Sequence, residues 1–437
     1  MRVLVTGGAG FVGSHVVDRL VETGHQPVIF DLRRSPYHNG DIASVRGDLD
    51  DLDALCRAME GCHAAIHLAA AADVDAVEKA PLDAERSNAR GTAHVLEAAR
   101  RTGVARVIYA STIWVYSDTV ASVHEEDTPL MAPAHLYTAT KLAGEQYCRS
   151  YRALYGLEST VLRFGIPYGP RSRPTAVVPA FVRRALAGEP LTLAGDGLQS
   201  RRFVYVEDLA DGVVRALAPE AADRVYNLVG DTDVTIREIA DTVGELIGGV
   251  EVVHGPGRSG DFAGAPVSGE RAAADLGWRP VTPFREGVRR CVEWQRETAA
   301  AEASARVRRT PLAPVLRRAA LGAALAAGSA ALGVGLAALA PMAPDSEQYD
   351  IFITLLLLQL PFLLALGVEW GTASARRLRM TLWGIVAVVL ATLVLPWPHA
   401  LDHFSRGHAV VLALVALSAA GASLLARGGP TRTPLRD

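Results

Sequence analysis

Lysine is the residue that this chain of 437 amino acids conspicuously avoids. Its basic residues number 44, and lysine supplies two of them, Lys79 and Lys141. The two cationic side chains are not interchangeable, because a lysine ammonium is a compact charge on a flexible stem whose pKa shifts readily on burial. A lysine in so arginine-rich a chain is therefore a candidate for chemistry that requires an ammonium group.

Cysteine is also scarce. The four cysteines (Cys56, Cys62, Cys148 and Cys291) form no C-x-x-C pair and no cluster with histidine. Their spacing predicts reduced structural thiols and no metal site. No basic stretch interleaved with aromatic residues occurs, so nucleic-acid binding is not expected. No signal peptide precedes the first strand pattern, so we expect the N-terminal part in the cytoplasm.

Lys141 stands four residues after Tyr137 in AHLYTATKLAGEQY, a stretch with helical character. Residues at i and i+4 lie on one face of a helix, so the phenol and the ammonium would face the same space. A nearby cation stabilises phenolate and lowers a phenol pKa that is normally about 10. The pair predicts a tyrosine that exchanges protons near neutral pH.

A glycine motif at the N-terminus indicates a dinucleotide-binding site. MRVLV reads as a short strand, TGGAGFVGSH follows it, and Gly7, Gly10 and Gly13 lie where that strand meets an amphipathic helix. Such glycines let backbone N–H groups approach a pyrophosphate at the helix N-terminus. A second strand, PVIFD, ends in Asp31, whose carboxylate would bind a ribose and favour NAD over NADP. Arg33 and Arg34 would weaken that preference.

These motifs resemble the extended short-chain dehydrogenase/reductase family, within it the NAD-dependent nucleotide-sugar epimerases and dehydratases, from residue 1 to about residue 295. The resemblance implies an α/β fold with a Rossmann-type doubly wound parallel sheet and a smaller substrate lobe (mainly residues 166–200 and 231–295). It implies NAD, a nucleotide-sugar substrate and a homodimer. It assigns cofactor binding to Gly7, Gly10, Phe11, Val12, Gly13, Asp31, Asp48, Leu49, Leu68, Ala69, Ala70, Asn88, Tyr137 and Lys141.

The same resemblance implies catalytic and substrate-binding roles. Tyr137 would take a proton from a sugar hydroxyl, Thr112 would hold the reacting oxygen, and Lys141 would bind the nicotinamide ribose while hydride passes to NAD. In an epimerase, a keto intermediate then receives hydride on its other face. Arg201 and Arg258 match the arginines that face the nucleotide diphosphate, since guanidinium groups bind phosphate through bidentate hydrogen bonds.

Two departures from the family pattern bear on the reaction. The dehydratases of this group have an Asp-Glu pair just after the catalytic threonine, where this chain has Ile113 and Trp114. Many relatives have a substrate-contacting Asn where Ile166 stands. The first departure favours an epimerase or a simple alcohol dehydrogenase over a dehydratase, and the second weakens the expected sugar-nucleotide pose.

Composition changes near residue 306. Four charge-free apolar stretches follow, at residues 319–344, 351–368, 380–398 and 409–426. Each is about long enough to cross a hydrocarbon core of about 30 Å as a helix. They predict an all-α transmembrane domain with four spans (residues 319–437), joined to the enzyme domain (residues 1–305) by a basic linker (residues 306–318).

The charges beside these stretches predict their orientation. Arginines cluster before the first and third spans and after the fourth, whereas acidic residues follow the first. By the positive-inside rule, both termini lie in the cytoplasm of a multi-pass protein of the cell membrane. The spans contain no ionisable residue, so we interpret them as an anchor in the lipid bilayer or a docking surface.

Three functions remain open at this point. The first is a membrane-anchored nucleotide-sugar epimerase, with a UDP-sugar 4-epimerase favoured. The second is an NAD(P)-dependent dehydrogenase or reductase that acts on a lipid-like or sterol-like alcohol, which Ile166 and the apolar stretches favour. The third is a non-catalytic sensor that uses the cofactor fold, against which Thr112, Tyr137 and Lys141 argue.

Overall fold

The computed structural model describes residues 1–117, 119, 121–133, 135–256 and 266–309. Met1–Ser304 forms one compact unit. Its strands are β1 (Arg2–Thr6), β2 (Gln26–Asp31), β3 (Ala43–Arg46), β4 (Ala64–His67), β5 (Arg106–Thr112), β6 (Glu158–Phe164), β7 (Ile166–Tyr168), β8 (Leu191–Ala194), β9 (Ser200–Tyr205), β10 (Val225–Leu228), β11 (Asp233–Thr235) and β12 (Val252–Gly255).

The α-helices alternate with these strands in the first half of the chain. They are α1 (Phe11–Glu22), α2 (Leu52–Met59), α3 (Val74–Lys79), α4 (Pro81–Glu85), α5 (Gly91–Thr102), α6 (Leu136–Tyr155), α7 (Val177–Leu186), α8 (Val206–Arg215), α9 (Ile236–Ile247), α10 (Glu270–Leu276) and α11 (Phe284–Arg309). A π-helical turn covers Arg86–Arg90, and 3₁₀ turns cover Ile113–Tyr116 and Pro219–Ala221.

Seven strands form one parallel sheet in the order β10-β6-β5-β4-β1-β2-β3. This order reverses between β1 and β4, which is the switch point of a doubly wound sheet and the place where ligands bind at the carboxyl ends of the strands. The predicted Rossmann-type fold is confirmed.

Alternate residues of each strand bury against helices on opposite faces of this sheet. Val3 and Val5 of β1 pack in one core with Val16 and Leu20 of α1. Leu4, between them, packs in a second core that contains residues of α2, α5 and α6. Both faces of a parallel sheet are covered in this way, which explains why β1 is a continuous apolar run.

A smaller lobe has its own core. Strands β11, β9 and β7 form a three-stranded sheet, and β12 pairs with β8. Their apolar side chains pack with α7, α9 and α11 in a cluster separate from the large sheet. Ala272, Leu276 and Trp278, which fall inside the range expected for the lobe, pack instead in the core of the large sheet.

None of the described helices combines the length and the apolar character needed to cross a bilayer. The four predicted spans lie outside the described residues. They stay a prediction from the sequence.

Candidate active site

The glycine loop joins β1 to α1 and leaves no room for side chains. Gly7 has φ +73°, and a Cβ at Gly13 would lie 2.1 Å from the Gly7 carbonyl oxygen. No side chain caps α1, and its first turn has no acidic residue. The N–H groups of that turn and the positive end of the helix dipole are therefore suited to a phosphate group.

Asp31 ends β2 beside this loop. Its carboxylate accepts a hydrogen bond from the Ala9 N–H at 3.1 Å and another from the Arg33 N–H at 3.2 Å. Asp48 and Leu49 follow β3, and Leu49 is buried against the start of α5, where a Cβ at Gly91 would lie 2.7 Å from Leu49 Cδ1. These residues line up along the carboxyl ends of β2 and β3.

The segment after β4 lies against the glycine loop, as the motif order requires. A Cβ at Gly7 would lie 2.7 Å from the Ala69 nitrogen. The Thr6 hydroxyl oxygen accepts a hydrogen bond from the Ala69 N–H at 3.3 Å and lies 2.7 Å from His67 Nδ1. Leu68, Ala69 and Ala70 thus form the wall opposite Gly7.

Asn88 links this wall to the helix that carries Tyr137. It is buried in the π-helical turn, where its side chain bonds both backbone groups of Ala71 at 2.7 and 3.0 Å. Its amide also donates to the Thr140 hydroxyl at 3.1 Å, and that hydroxyl donates to the Tyr137 carbonyl at 2.7 Å. Widened π turns of this kind are frequent at functional sites.

Thr112 ends β5, and Tyr137 lies in the first turn of α6. The Thr112 side chain is buried and lies close enough to the phenol of Tyr137 to lower its pKa. The Thr112 hydroxyl oxygen also accepts from the Trp114 N–H at 3.3 Å, which caps the following 3₁₀ turn. The structure therefore brings together the two side chains expected to hold the reacting oxygen.

Lys141 lies one turn further along α6 and is buried, with 4% of its surface exposed. Its ammonium nitrogen lies over the Tyr109 ring, 4.6 Å from the centroid. The Tyr109 hydroxyl donates to the Lys141 carbonyl at 3.1 Å. This close approach requires glycine at 144, since a Cβ there would lie 2.2 Å from the Tyr109 hydroxyl.

The ionisation of the pair differs from the expectation. Burial raises the pKa of Tyr137 to about 12, and the nearby Thr112 hydroxyl and the Arg173 charge only partly oppose it. Burial also lowers the pKa of Lys141 to about 8. The prediction that Lys141 lowers the Tyr137 pKa is wrong for the chain itself, because the protein removes water from both groups.

Of the two predicted phosphate-binding arginines, only one lies among the described residues. Arg201 lies on β9, where its guanidinium donates to the Ser200 carbonyl at 2.7 Å, in the three-stranded sheet that also contains Ile166. Arg258 lies outside the described residues. Both assignments stay predictions.

Comparison with known proteins identifies the family. The model of the NAD dependent epimerase/dehydratase family matches residues 3–229. A UDP-glucose 4-epimerase of Mycolicibacterium smegmatis is 36% identical over 311 residues, which cover 68% of this chain and 99% of the relative. The chain belongs to the NAD dependent epimerase/dehydratase family. The predicted enzyme class and its cofactor, NAD, are confirmed.

Other epimerase/dehydratase relatives span both reactions of the family. A dTDP-glucose 4,6-dehydratase of Streptomyces antibioticus is 32% identical over 69% of this chain and 94% of its own length. The crystal structure of UDP-glucose 4-epimerase with UDP-glucose from Thermotoga maritima has a TM-score of 0.65 and 31% identity, covering 68% of this chain and 100% of that one. The Thermus thermophilus UDP-glucose 4-epimerase complex with NAD has a TM-score of 0.62 and 34% identity, covering 68% and 99%.

The site of this epimerase/dehydratase fits NAD. The close-packed glycine loop and the uncapped start of α1 suit the pyrophosphate, and the Asp31 carboxylate lies where a ribose hydroxyl would be bound. NAD supplies hydride acceptance and donation when bound. The chain's own residues bind and orient it and handle the proton.

Several residues of this site were missed by the sequence interpretation. Three of them form hydrogen bonds within the site: Thr6 bonds Ala69, Thr140 bonds Asn88 and Tyr109 bonds the Lys141 carbonyl. A fourth, Arg173, adds positive charge near Tyr137. Glu145 could have been found from the sequence. It follows Lys141 by four residues, and Lys141 follows Tyr137 by four residues, so all three lie on one face of the predicted helix. The others have no local signal.

Proposed function

We propose that this protein is a nucleotide-sugar epimerase that acts on a UDP-sugar at the 4-position through a transient keto intermediate. One observation carries the proposal: the Thr112 hydroxyl lies beside the Tyr137 phenol, while the next two residues, Ile113 and Trp114, have no acid or base group. Such a site can move a proton at one sugar oxygen, but it lacks the carboxyl groups expected for elimination of water.

In this mechanism, Thr112 and Tyr137 both hydrogen-bond the sugar hydroxyl. Tyr137 accepts its proton as the carbon is oxidised and returns the proton when the keto intermediate is reduced. Lys141 would hold the ribose of bound NAD, and it supplies positive charge from the same helix face as Tyr137. Thr112 and Lys141 are buried and Tyr137 is partly buried, so little water reaches them and each hydrogen bond to the reacting oxygen is strengthened.

The raised pKa of Tyr137 gives the positive charge of oxidised nicotinamide a role. The phenol is protonated in the chain itself, so an added cation beside it is needed to favour phenolate at neutral pH. Oxidised NAD would supply such a positive charge when bound.

Turnover of the full-length protein tests this proposal. Purified protein is incubated with UDP-, GDP- and dTDP-sugars, and sugar epimers and NADH are both measured. We expect a 4-epimer of a UDP-sugar with no net NADH. A 4-keto-6-deoxy product, or an absence of epimers with every sugar nucleotide, would overturn it.

Ile166 favours a second candidate, a dehydrogenase or reductase of a lipid-like or sterol-like alcohol. It lies on β7 with its side chain partly packed against the apolar core of the lobe, and it cannot hydrogen-bond a sugar. Net NADH formation with a lipid alcohol, and none with sugar nucleotides, would support this function instead.

The membrane anchor and the homodimer belong to the proposal as well. The apolar stretches of residues 319–426 and the arginines beside them support a multi-pass protein of the cell membrane with the enzyme domain and both termini in the cytoplasm. Extraction with alkaline carbonate tests the anchor: a protein released into the supernatant is not integral. Light scattering of the detergent-solubilised protein tests for two copies.

A further inference from the structure

A fully buried ion pair lies behind the candidate active site. Glu145 on α6 and Arg163 on β6 each have about 1% of their side-chain surface exposed. Arg163 Nε donates to Glu145 Oε1 at 3.0 Å, and Nη2 donates to Oε2 at 2.8 Å. This bidentate geometry is the strong form of an arginine–carboxylate contact, and it fixes both side chains.

The pair holds the end of the strand that carries Thr112. The Ser111 hydroxyl donates to Glu145 Oε1 at 2.6 Å. In the β5–β6 register Ser111 lies opposite Arg163, and Thr112 lies opposite Phe164. The carboxylate therefore bonds α6, β5 and β6 together one residue before the catalytic threonine.

Arg163 extends the same network to the turn after Thr112. Its Nη1 donates to the Tyr116 hydroxyl at 2.7 Å and to the Glu126 carbonyl at 3.2 Å. The Tyr116 hydroxyl in turn donates to Asn227 Oδ1 at 2.9 Å. Thr112 is thus flanked on both sides by residues that this pair holds.

Glu145 also sets the charge environment of Lys141, one turn before it on α6. The titratable groups that act on or face that ammonium are His67 on β4, Tyr109 on β5, and Glu145 and Cys148 on α6. Burial keeps His67 neutral by lowering its pKa to about 3, and it raises the pKa of Cys148 to about 12. Glu145 is therefore the neighbour that supplies negative charge to the ammonium.

We propose that Glu145 and Arg163 form a positioning unit for the reaction: Glu145 places a carboxylate one helical turn from Lys141, and the pair fixes Thr112 against the helix that carries Tyr137. Stability alone does not account for such a pair, because buried ion pairs add little net stability over apolar replacements. The kinetic part of the inference rests on the proposed function, whereas the effect on Lys141 does not.

The scarcity of lysine makes a direct test possible. In the full-length protein with Lys79→Arg, ¹³Cε-labelled lysine gives one side-chain signal, that of Lys141. We expect it to titrate near pH 8 in this background and at a clearly lower pH when Glu145→Gln is added. Glu145→Asp, which retains the charge, should keep the Lys141 titration close to that of the Lys79→Arg background.

A double variant protects the test against misfolding. Glu145→Gln alone leaves a buried guanidinium unpaired, which destabilises the fold. Glu145→Gln combined with Arg163→Met removes both charges and should fold, while the Lys141 signal should still titrate at a lower pH. An unchanged titration in the folded double variant would overturn the role of Glu145.

A second ion pair on the same two strands provides the matched control. Arg106 and Glu158 face each other at the amino ends of β5 and β6, with nitrogen–oxygen distances of 2.9 and 3.1 Å. Glu158→Gln should leave the Lys141 titration and the kcat–pH profile unchanged.

Epimerase kinetics then test the positioning of Thr112. Glu145→Gln should lower kcat by up to about 100-fold, because misplacement of a catalytic group by about 1 Å can have that effect. The alkaline limb of its kcat profile should move to lower pH, with KM little changed. If Glu145→Gln and Glu158→Gln had the same profile, the positioning role would be wrong. If the wild-type protein formed no epimer, the proposed function would fail while the lysine titration still decided this inference.

Discussion

The two lobes of the described unit differ in how many polar side chains they bury. The half built on the large sheet buries hydrogen-bonding groups such as Asn88, Thr112, Lys141 and Arg163. In the described part of the substrate lobe (residues 166–200, 231–256 and 266–295), Ser172 is the one buried polar or charged side chain apart from tyrosine, tryptophan and cysteine. The core of the lobe is otherwise apolar.

This difference separates two tasks. A buried polar network has one satisfied arrangement, so it can fix catalytic groups to within a fraction of an ångström. An apolar core fixes only the scaffold, and recognition is left to side chains at its surface, which can be exchanged at little cost in stability. Substitutions in the first half should therefore act on kcat, and those in the lobe should act on KM.

The largest expected effect comes from Lys141→Met. The substitution keeps the length of a buried side chain and removes its charge, so kcat should fall by roughly 10² to 10⁴, the range of acid–base contributions. Epimer formation by the folded, NAD-loaded variant measures it. Lys79→Met, at the other, exposed lysine, is the control. Undiminished turnover in Lys141→Met would remove the basis of the mechanism.

Gly13→Ala should come next. The added Cβ would lie 2.1 Å from the Gly7 carbonyl, so the loop must move, at a cost of about 1–3 kcal/mol. NAD affinity, measured by fluorescence titration, and the unfolding temperature should both fall. Gly244→Ala is the matched control, because that glycine lies in α9 of the lobe with nothing within 4 Å of the new Cβ. Equal losses in both variants would contradict the assignment of the loop.

Arg201→Ala tests the lobe itself. Loss of a charge-assisted hydrogen bond to phosphate should raise KM roughly tenfold or more and leave kcat nearly unchanged. The neighbouring Arg202→Ala is the control, since that guanidinium bonds Asp233 and the carbonyls of Gly230 and Asp231. It should lower stability with little effect on KM. A fall in kcat without a change in KM for Arg201→Ala would contradict the division between lobes.

The pH dependence gives the smallest effect near neutral pH, because the loss grows only as the pH rises above the Lys141 pKa. Lys141 acts as a cation, and its pKa is about 8, so its protonated fraction falls as pH rises through that value. We expect kcat to fall about tenfold for each pH unit above that value, with KM for the sugar nucleotide following a different profile. Steady-state kinetics between pH 6 and 10 measure this. A kcat that is constant across that range would mean that Lys141 need not be charged.

Features that depend on neighbours in the sequence were predictable. The glycine loop, the acidic end of β2 and the four-residue spacing of Tyr137 and Lys141 are all local, because strand ends and helix turns fix the directions of nearby side chains. The family resemblance that these motifs carry implied the doubly wound sheet. The apolar stretches after residue 319 are likewise a property of sequence alone.

Burial and long-range pairing were decided by the tertiary structure. The sequence places a cation four residues from a phenol, but it does not show that both groups lose water, which raises one pKa and lowers the other. Nor does it show that Glu145 meets Arg163, a residue 18 positions away on another element. Ionisation and hydrogen bonding depend on what surrounds a group from every side, and only packing of the whole unit determines those surroundings.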